Sequence, residues 1–543
     1  MSVAAPRGLG LTVPLILVAM TGAGAAWRLA AFAFNIWPHG DVVLDASIAE
    51  SVAWQGALKI PIVDVRYYPI GRFGFGYPLD QHPPLWPVLG APLVPVVGDG
   101  YVALKLVSLA IGIALVPLTY LACRRTIGRG PALLTAALVA GSYPLVDFSG
   151  NGSLWMLEAA LYLVFVWQVG GCGLRQRRSA VLVGLAMGLG CLANYSAVVL
   201  PISLGLVHVL RHGWSWLSRE ALAGPALSLA VMLAVVTPWL VHNAVVFGNP
   251  LWSQPLERSL SGGSKQVEYL LVGDEVVKRN LPQPGGTGAA LRDRAFDLYG
   301  NVGFVARQLL ILAPLLVGFF VAGLLAAGVG GWEIGVGRWA TRARAGWQSL
   351  TPNSHLASPL VVLAVVHLAL VLLWPTTKFR YLVPVLPLVF AIGSWFLCEL
   401  KQPLERGLLV AVTAGLCLFT NVWTFVSIPS HTYYYDGGLV QDNFGGQGET
   451  AFVEEAGRLR AAADAIAARG PGPILGDHLL YAFTHQPLVV NSTAYPPDIA
   501  AHLVQKYSVR YVVTERSHAQ FYGFLNPTEL WVDDRFVVLE VAR

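Results

Sequence analysis

Two aspartates four residues apart, Asp41 and Asp45, open the segment HGDVVLDASIAESVAWQG, and a helix there would carry both on one face with Ile48, Ala49 and Val52. Carboxylates beside an apolar surface can accept the proton of an attacking hydroxyl. They can also share a divalent cation, or cap and solubilise a surface helix whose N-terminus favours negative charge. Asp80 and His82 follow in GYPLDQHPPLWP, where His-Pro-Pro forms a rigid extended element at the edge of an apolar segment, either a site or an interfacial turn. Cations stand at comparable places: Arg28 and Lys105 near the ends of two apolar runs, Lys378 and Arg380 just after Trp374-Pro375. Such side chains snorkel to lipid head groups or converge on one anion, and their clustering on the membrane side of Asp41 favours convergence. Glu158, about a turn and a half inside another apolar run, reads as a hydrogen-bonded intramembrane acid or as a supporting carboxylate.

The elements that must position these groups are membrane helices. Of 543 residues, 55% are hydrophobic and 12% charged, and mean hydropathy is +0.58. That charge content is about half the ~25% of a soluble domain, too little to coat three or four of them. The same composition excludes a disordered chain and a disulfide-stapled secreted domain, and the continuous apolar runs exclude an alternating β-barrel. A net charge of +5 is explained by orienting the spans and is no nucleic-acid signal.

Eleven stretches approach the length needed to cross a ~30 Å hydrocarbon core: 9–34, 101–122, 131–147, 153–170, 179–193, 195–210, 221–246, 304–330, 357–374, 379–398 and 407–427. The first resembles a secretory signal, but its run is of span length and continues to Trp37. The proline-rich 83–98 stretch reads as interfacial or re-entrant. With the N-terminus inside, the inner loops hold fourteen basic residues, among them Arg124, Arg125, Arg129 and Arg338, against four acidic ones, Glu220, Glu333, Glu399 and Glu405. The positive-inside rule then predicts a multi-pass plasma-membrane protein with a cytoplasmic N-terminus and three outer pieces, 35–100, 247–303 and 428–543.

Residues 1–427 thus form a membrane module and 428–543 a small extracytoplasmic α/β domain. The latter is expected to hold helices at 449–469 and 497–507 and strands at 473–475, 487–491, 510–515 and 535–541. It has no glycine-rich phosphate loop. All five cysteines fall in spans or at their inner ends, which leaves no disulfide for the outer pieces and no CxxC metal or redox motif.

Asp41, Ala49, Gly56, Pro61 and His82-Pro83-Pro84-Leu85, in that order, resemble the GT-C fold glycosyltransferases of the protein O-mannosyltransferase and aminoarabinose lipid A transferase type. KLVSLAIGIALVPLTYLACRRTIGR (105–129), TPWLVHNAVVFGNP (237–250) and KFRYLVPVLP (378–387) are similar to further motifs of that family, so the resemblance covers about residues 10–400. Two departures stand out. His242 replaces the signature arginine, and DFSGNGSLW (147–155) carries Gly, Asn and Ser where many members have an acid.

The resemblance implies transfer of a sugar from a polyprenyl-phosphate donor to an acceptor on the outer face, with inversion at the anomeric carbon. Asp41 would be the base, with Asp45, Asp80 and Glu158 as candidate supporting carboxylates. His82, Lys105, Lys378, Arg380 and Arg28 would hold the donor phosphate. No cofactor is required, although a divalent metal is compatible. The expected partners are the lipid-linked donor, a cell-envelope glycan, lipid or protein acceptor, and membrane lipids, with no nucleic acid. Two rival readings are a lipid-linked sugar transporter or flippase, and an inactive scaffold of the same fold. Transporters place polar groups at the midplane of repeated halves; here those groups gather at the outer ends and no repeat is visible.

Overall fold

The computed structural model of the protein describes residues 12–36, 38, 40–63, 75, 77–78, 82–171, 174, 176–212, 215–252, 267–272, 275–280, 298–310, 314–329, 358–374, 378–399, 403–427, 447–490 and 497–541. The chain forms two compact units, one of Met1–Asn35, Ser108–Pro238 and Ala295–Gly445, the other of Ile36–Val107, Trp239–Arg294 and Gly446–Arg543.

Every one of the eleven apolar stretches contains helix. Among the described residues, five helices are long and apolar enough to cross a membrane: Thr12–Phe34, Gly100–Cys123, Tyr195–His212, Arg219–Phe247 and Phe379–Cys398. Two bent helix pairs reach that length and hydropathy when each pair is taken together. One of them, expected as a single helix over 131–147, breaks into Arg129–Gly141 and Tyr143–Gly150 with a 52° bend. Pro144 sits in the first turn of the second piece, where its missing N–H costs no helical hydrogen bond. The Tyr143 N–H donates instead to Asn421 Oδ1 from the Pro403–Ser427 helix. Trp155–Gly171 and Pro359–Leu373 are shorter apolar helices, and the 83–98 stretch becomes the short Leu85–Gly90 and Val94–Val97 helices with a 3-10 turn between them.

Small residues let helices of the first unit approach closely, as expected where lipid removes the hydrophobic drive between helices. A Cβ on Gly150 would lie 2.6 Å from the main chain of Ala31 and Phe32, and one on Gly184 would lie 2.5 Å from Ser228 O. Gly150→Val should therefore push the Tyr143–Gly150 and Thr12–Phe34 helices apart and cost about 1–3 kcal/mol, read as an earlier thermal transition of the purified protein in detergent; an unchanged transition would show that this contact yields.

In the second unit, the C-terminal domain is built on a mixed six-stranded sheet in the order Ile62–Val63, Leu488–Val490, Ile474–Gly476, Tyr511–Glu515, Phe536–Glu540, Thr528–Val532. The first four strands run parallel and the last two pair antiparallel. Leu475, Val489, Val512, Val537 and Leu539 fill one face against Leu503 and Val504 of the Pro497–Lys506 helix. The Gln447–Ala467 helix buries Ala456, Leu459, Ala463 and Ile466, a helical apolar stripe. Its end at Gly470 (φ +101) is as expected, with the Gly470 N–H donating to Ile466 O at 3.2 Å. Thr528–Val532 was not anticipated, nor was Ile62–Val63, an edge strand that the 35–100 segment adds to the sheet. The 247–303 piece contributes a two-stranded antiparallel hairpin, Val267–Val272 with Glu275–Asn280.

Candidate active site

Asp41 and Asp45 lie on the Gly40–Gln55 helix, Asp41 in its first turn. The helix does not rest on a surface. Residues 42–51 are buried apart from the partly buried Leu44, so the helix is enclosed over that stretch, while its end at Trp54 and Gln55 is exposed. Ala49 packs with Val94 and Ala103, which seats it against the Val94–Val97 turn and the start of the Gly100–Cys123 helix. Asp41 is partly buried, whereas Asp45 is 2% exposed.

His82 reaches Asp45 from the chain just ahead of Pro83-Pro84, where the fully buried Trp86 anchors the following helix. Its Nδ1 lies 3.6 Å from Asp45 Oδ1, an ion-pair distance when the ring is protonated. Burial pushes the Asp45 carboxyl above the usual carboxylate range; His82 pulls it down and the neighbouring Asp41 adds to the rise. A carboxylate held above its ordinary range costs stability once ionised. Asp45→Asn should therefore raise the thermal transition at pH 7, and the gain should vanish as pH falls through the raised value, where Asp45 is itself neutral. An unchanged or lowered transition at pH 7 would count against a strained carboxylate.

Lys105 belongs to the same unit, nearly buried, with its Nζ 5.2 Å from the centre of the Tyr101 ring one turn earlier. Asp80 lies outside the described residues. Among the described residues, no three His, Cys, Asp or Glu side chains group closely enough to hold a metal ion; Asp45 and His82 supply two donors.

The remaining candidates lie in the first unit, each in its own setting. Arg28 is fully buried, and its guanidinium donates to three main-chain carbonyls: Nη1 to Gly24 O at 3.0 Å and Ala140 O at 3.1 Å, Nη2 to Val139 O at 3.0 Å. It thus clamps the C-terminal end of the Arg129–Gly141 helix, whose last carbonyls lack helical partners. Lys378 caps the Phe379–Val385 3-10 turn in extended conformation, and Arg380 within that turn is buried with its guanidinium 5.4 Å from the Tyr381 ring centre.

Glu158 is fully buried on the Trp155–Gly171 helix and accepts three hydrogen bonds. Tyr162 OH donates at 2.7 Å, Ser196 Oγ at 2.6 Å and Asn194 Nδ2 at 3.0 Å. Tyr162 OH also lies 2.9 Å from His367 Nδ1, and His367 Nε2 lies 2.7 Å from Tyr381 O. A carbonyl only accepts, so His367 Nε2 carries a proton. With Tyr162 donating to Glu158, the hydrogen-bonded chain runs on through His367 and fixes the main chain between Arg380 and Leu382.

Two buried acids had no clear counterpart in the sequence reading, and one motif that was read there gains a structural role. Asp147, buried in the first unit, accepts from Asn35 Nδ2 at 3.0 Å; its signal was a charge inside an apolar run. Glu50 is 8% exposed and tied to residues more than 430 positions away, which no local pattern reveals. The TPWLVHNAVVFGNP motif proves to be a helix terminus. Gly248 takes the left-handed conformation (φ +75), and Asn243 Nδ2 holds the returning chain through Trp252 O at 3.2 Å. His242 there stacks on Trp239, with ring centres 5.0 Å apart.

Residues 81–242, which include His82-Pro83-Pro84 and Lys105, match the family model described as Dolichyl-phosphate-mannose-protein mannosyltransferase. Among solved structures, ArnT from Cupriavidus metallidurans bound to undecaprenyl phosphate is similar with a TM-score of 0.62 at 14% identity, over 96% of this chain and 97% of that one. AglB, an archaeal oligosaccharyltransferase from Archaeoglobus fulgidus in complex with an inhibitory peptide and a dolichol-phosphate, is similar at TM-score 0.56 and 13% identity, over 96% of this chain and 71% of that one. The arabinofuranosyltransferase AftD from Mycobacteria matches at TM-score 0.50 and 13% identity, over 97% of this chain and 40% of that one. No curated protein sequence matches the chain. The protein is a helical membrane protein with the GT-C fold, as its motifs implied, and the match to the mannosyltransferase family model covers residues 81–242.

Proposed function

We propose that the protein transfers a sugar from a polyprenyl-phosphate-linked donor to an acceptor on the outer face of the membrane. The observation that carries this reading is the acidic helix Gly40–Gln55, set in a fold shared over 96% of the chain with a structure that holds undecaprenyl phosphate. In the proposed step, an acceptor hydroxyl oxygen attacks the anomeric carbon, its proton passes to Asp41, and the bond from that carbon to the phosphate oxygen breaks. The lipid phosphate leaves with the bonding electrons, and attack opposite the leaving group inverts the configuration. Asp45 and His82 orient Asp41 and the acceptor from the next turn.

The leaving phosphate is an anion, so cations placed where its charge grows lower the barrier. Lys105, His82, Lys378 and Arg380 supply them in this reading. Arg28, spent on three carbonyls, acts by holding helices together. The N-terminus is placed in the cytoplasm and the 428–543 domain outside, where with the 247–303 piece it forms the acceptor platform.

Lys378→Ala should weaken binding of undecaprenyl phosphate by roughly tenfold, about the worth of one charge-assisted hydrogen bond, and the product's anomeric proton should report the configuration opposite to the donor's. Retained configuration would overturn direct displacement. Unchanged lipid-phosphate affinity would remove Lys378 from the donor site.

A further inference from the structure

Glu50 stands nine residues after Asp41 and five after Asp45 on the same helix. Its carboxylate is held from three sides. Oε1 accepts the Gly100 N–H at 2.8 Å, while Oε2 accepts Tyr481 OH at 3.0 Å and lies 3.2 Å from His485 Nδ1. The Gly100 N–H reaches that oxygen because residue 100 has no side chain: a Cβ there would overlap the Ala46 carbonyl and lie 3.0 Å from Glu50 Cγ. His485 is presented by a sharp helix end, in the left-handed conformation (φ +52), with its N–H returned to Tyr481 O at 2.8 Å. Seven residues beyond the acidic helix, Ile62–Val63 pairs with Leu488–Val490. The helix and its following strand are therefore both fastened to the C-terminal domain, the helix with the Glu50 carboxylate among its contacts.

We infer that Glu50 is a positioning residue: through Tyr481 and His485 it locks the Gly40–Gln55 helix to the C-terminal domain, so that this domain sets the placement of Asp41 and Asp45. The inference rests on the reading of Asp41 as the base. Mere cohesion would need no charge, since the apolar contacts of Ala49, Val94 and Ala103 already seat the helix. Glu50 supplies a charge-assisted link from this helix to Tyr481 and His485, on the Leu479–Thr484 helix and at its end.

The groups that face this link make it sensitive to pH. The hydrogen bond that Glu50 accepts raises His485 above the usual histidine range, against an opposing effect of burial, and the charges of Glu50 and Asp99 add to the rise. Burial pushes Glu50 upward, but His485, the Gly100 N–H and Tyr481 together bring it below the usual carboxylate range. A raised histidine contributes its full stabilisation below about 6.5, its ordinary value, and loses it as pH rises through the raised value. The link therefore loosens on the alkaline side.

Hydrogen exchange on the full-length protein in lipid, with transfer kinetics alongside, tests the inference. Glu50→Gln keeps the acceptor for Gly100 or Tyr481 but removes the charge. Exchange in both 40–55 and 479–485 should rise together about tenfold, the loss expected for a charged hydrogen bond, while the membrane helices keep their protection. The turnover number should fall with the donor KM unchanged, and the alkaline limb of the rate profile should flatten; His485→Gln should reproduce all three effects. Wild-type exchange patterns in both variants, or an unmoved alkaline limb, would overturn the role of Glu50. A wild-type protein without transfer activity whose variants still show coupled exchange would refute the transferase reading and leave only the physical link standing. Should Glu50→Gln fail to fold, His485→Gln and Tyr481→Phe carry the same comparison.

Discussion

Asp41→Asn should leave a protein that folds and binds lipid phosphate but transfers sugar about 10²–10⁴-fold more slowly, the range associated with loss of a positioned general base. Asparagine matches aspartate in shape and still supports the first turn of the Gly40–Gln55 helix. What it loses is the capacity to take a proton. Asp41 is the outer of the two aspartates, only partly buried, whereas Asp45 is enclosed and faces His82. The roles are therefore unequal, with the accessible carboxylate meeting the acceptor and the enclosed one steadying it. Initial rates with a labelled donor at saturation check this. A rate within a few-fold of wild type would move the base elsewhere, first to Asp45.

The second large effect concerns folding. Glu158→Ala removes the acceptor of three buried donors, Tyr162, Ser196 and Asn194, and cuts the link through Tyr162 to His367 and the Tyr381 carbonyl. In a soluble core each orphaned donor would cost about 1–3 kcal/mol. In lipid, average side-chain hydrogen bonds measure about 0.6 kcal/mol, because the unfolded chain also finds partners there. Three donors on one carboxyl sum to about 2–5 kcal/mol, a large share of a total stability of about 5–15 kcal/mol. Glu158→Ala should yield little folded protein, or a thermal transition lowered by many degrees. Glu158→Gln, which keeps an acceptor and a similar shape, should recover most of it. An alanine variant that melts like wild type yet is inactive would reverse this reading and place Glu158 against substrate.

Much of the architecture was legible because lipid imposes a simple rule on backbone polar groups. Each long apolar run contains helix, and the C-terminal strands read from PIL, PLVVN, RYVVTE and RFVVLEV lie in one sheet. The acidic helix was also legible from Asp41, Asp45, Ile48, Ala49 and Val52 at helical spacing. What stayed hidden depends on distant partners. Ile62–Val63 is two residues long, too short for a period, and is a strand only because Leu488–Val490 lies beside it. Thr528–Val532 is largely exposed and lacks the apolar alternation that marks a half-buried strand. The break at Ser142 was masked because Leu and Val continue on both sides of it, and Pro144 can start a helix as readily as end one. Arg28 was read as snorkelling or ligand-binding, since nothing local reveals two carbonyls on another helix. Glu50 carried no spacing signal, for its partners come from the far end of the chain.

The most direct measurement is a transfer assay with the purified full-length protein in lipid, offered radiolabelled polyprenyl-phosphate sugars and a cell-envelope extract, with Asp41→Asn as the paired control. The predicted result is label passing into the extract and free polyprenyl phosphate appearing in equal amount, with wild type only. Donor that binds yet is never consumed by wild type, with every sugar offered, would contradict the transferase and leave a lipid-binding scaffold or a transporter in its place.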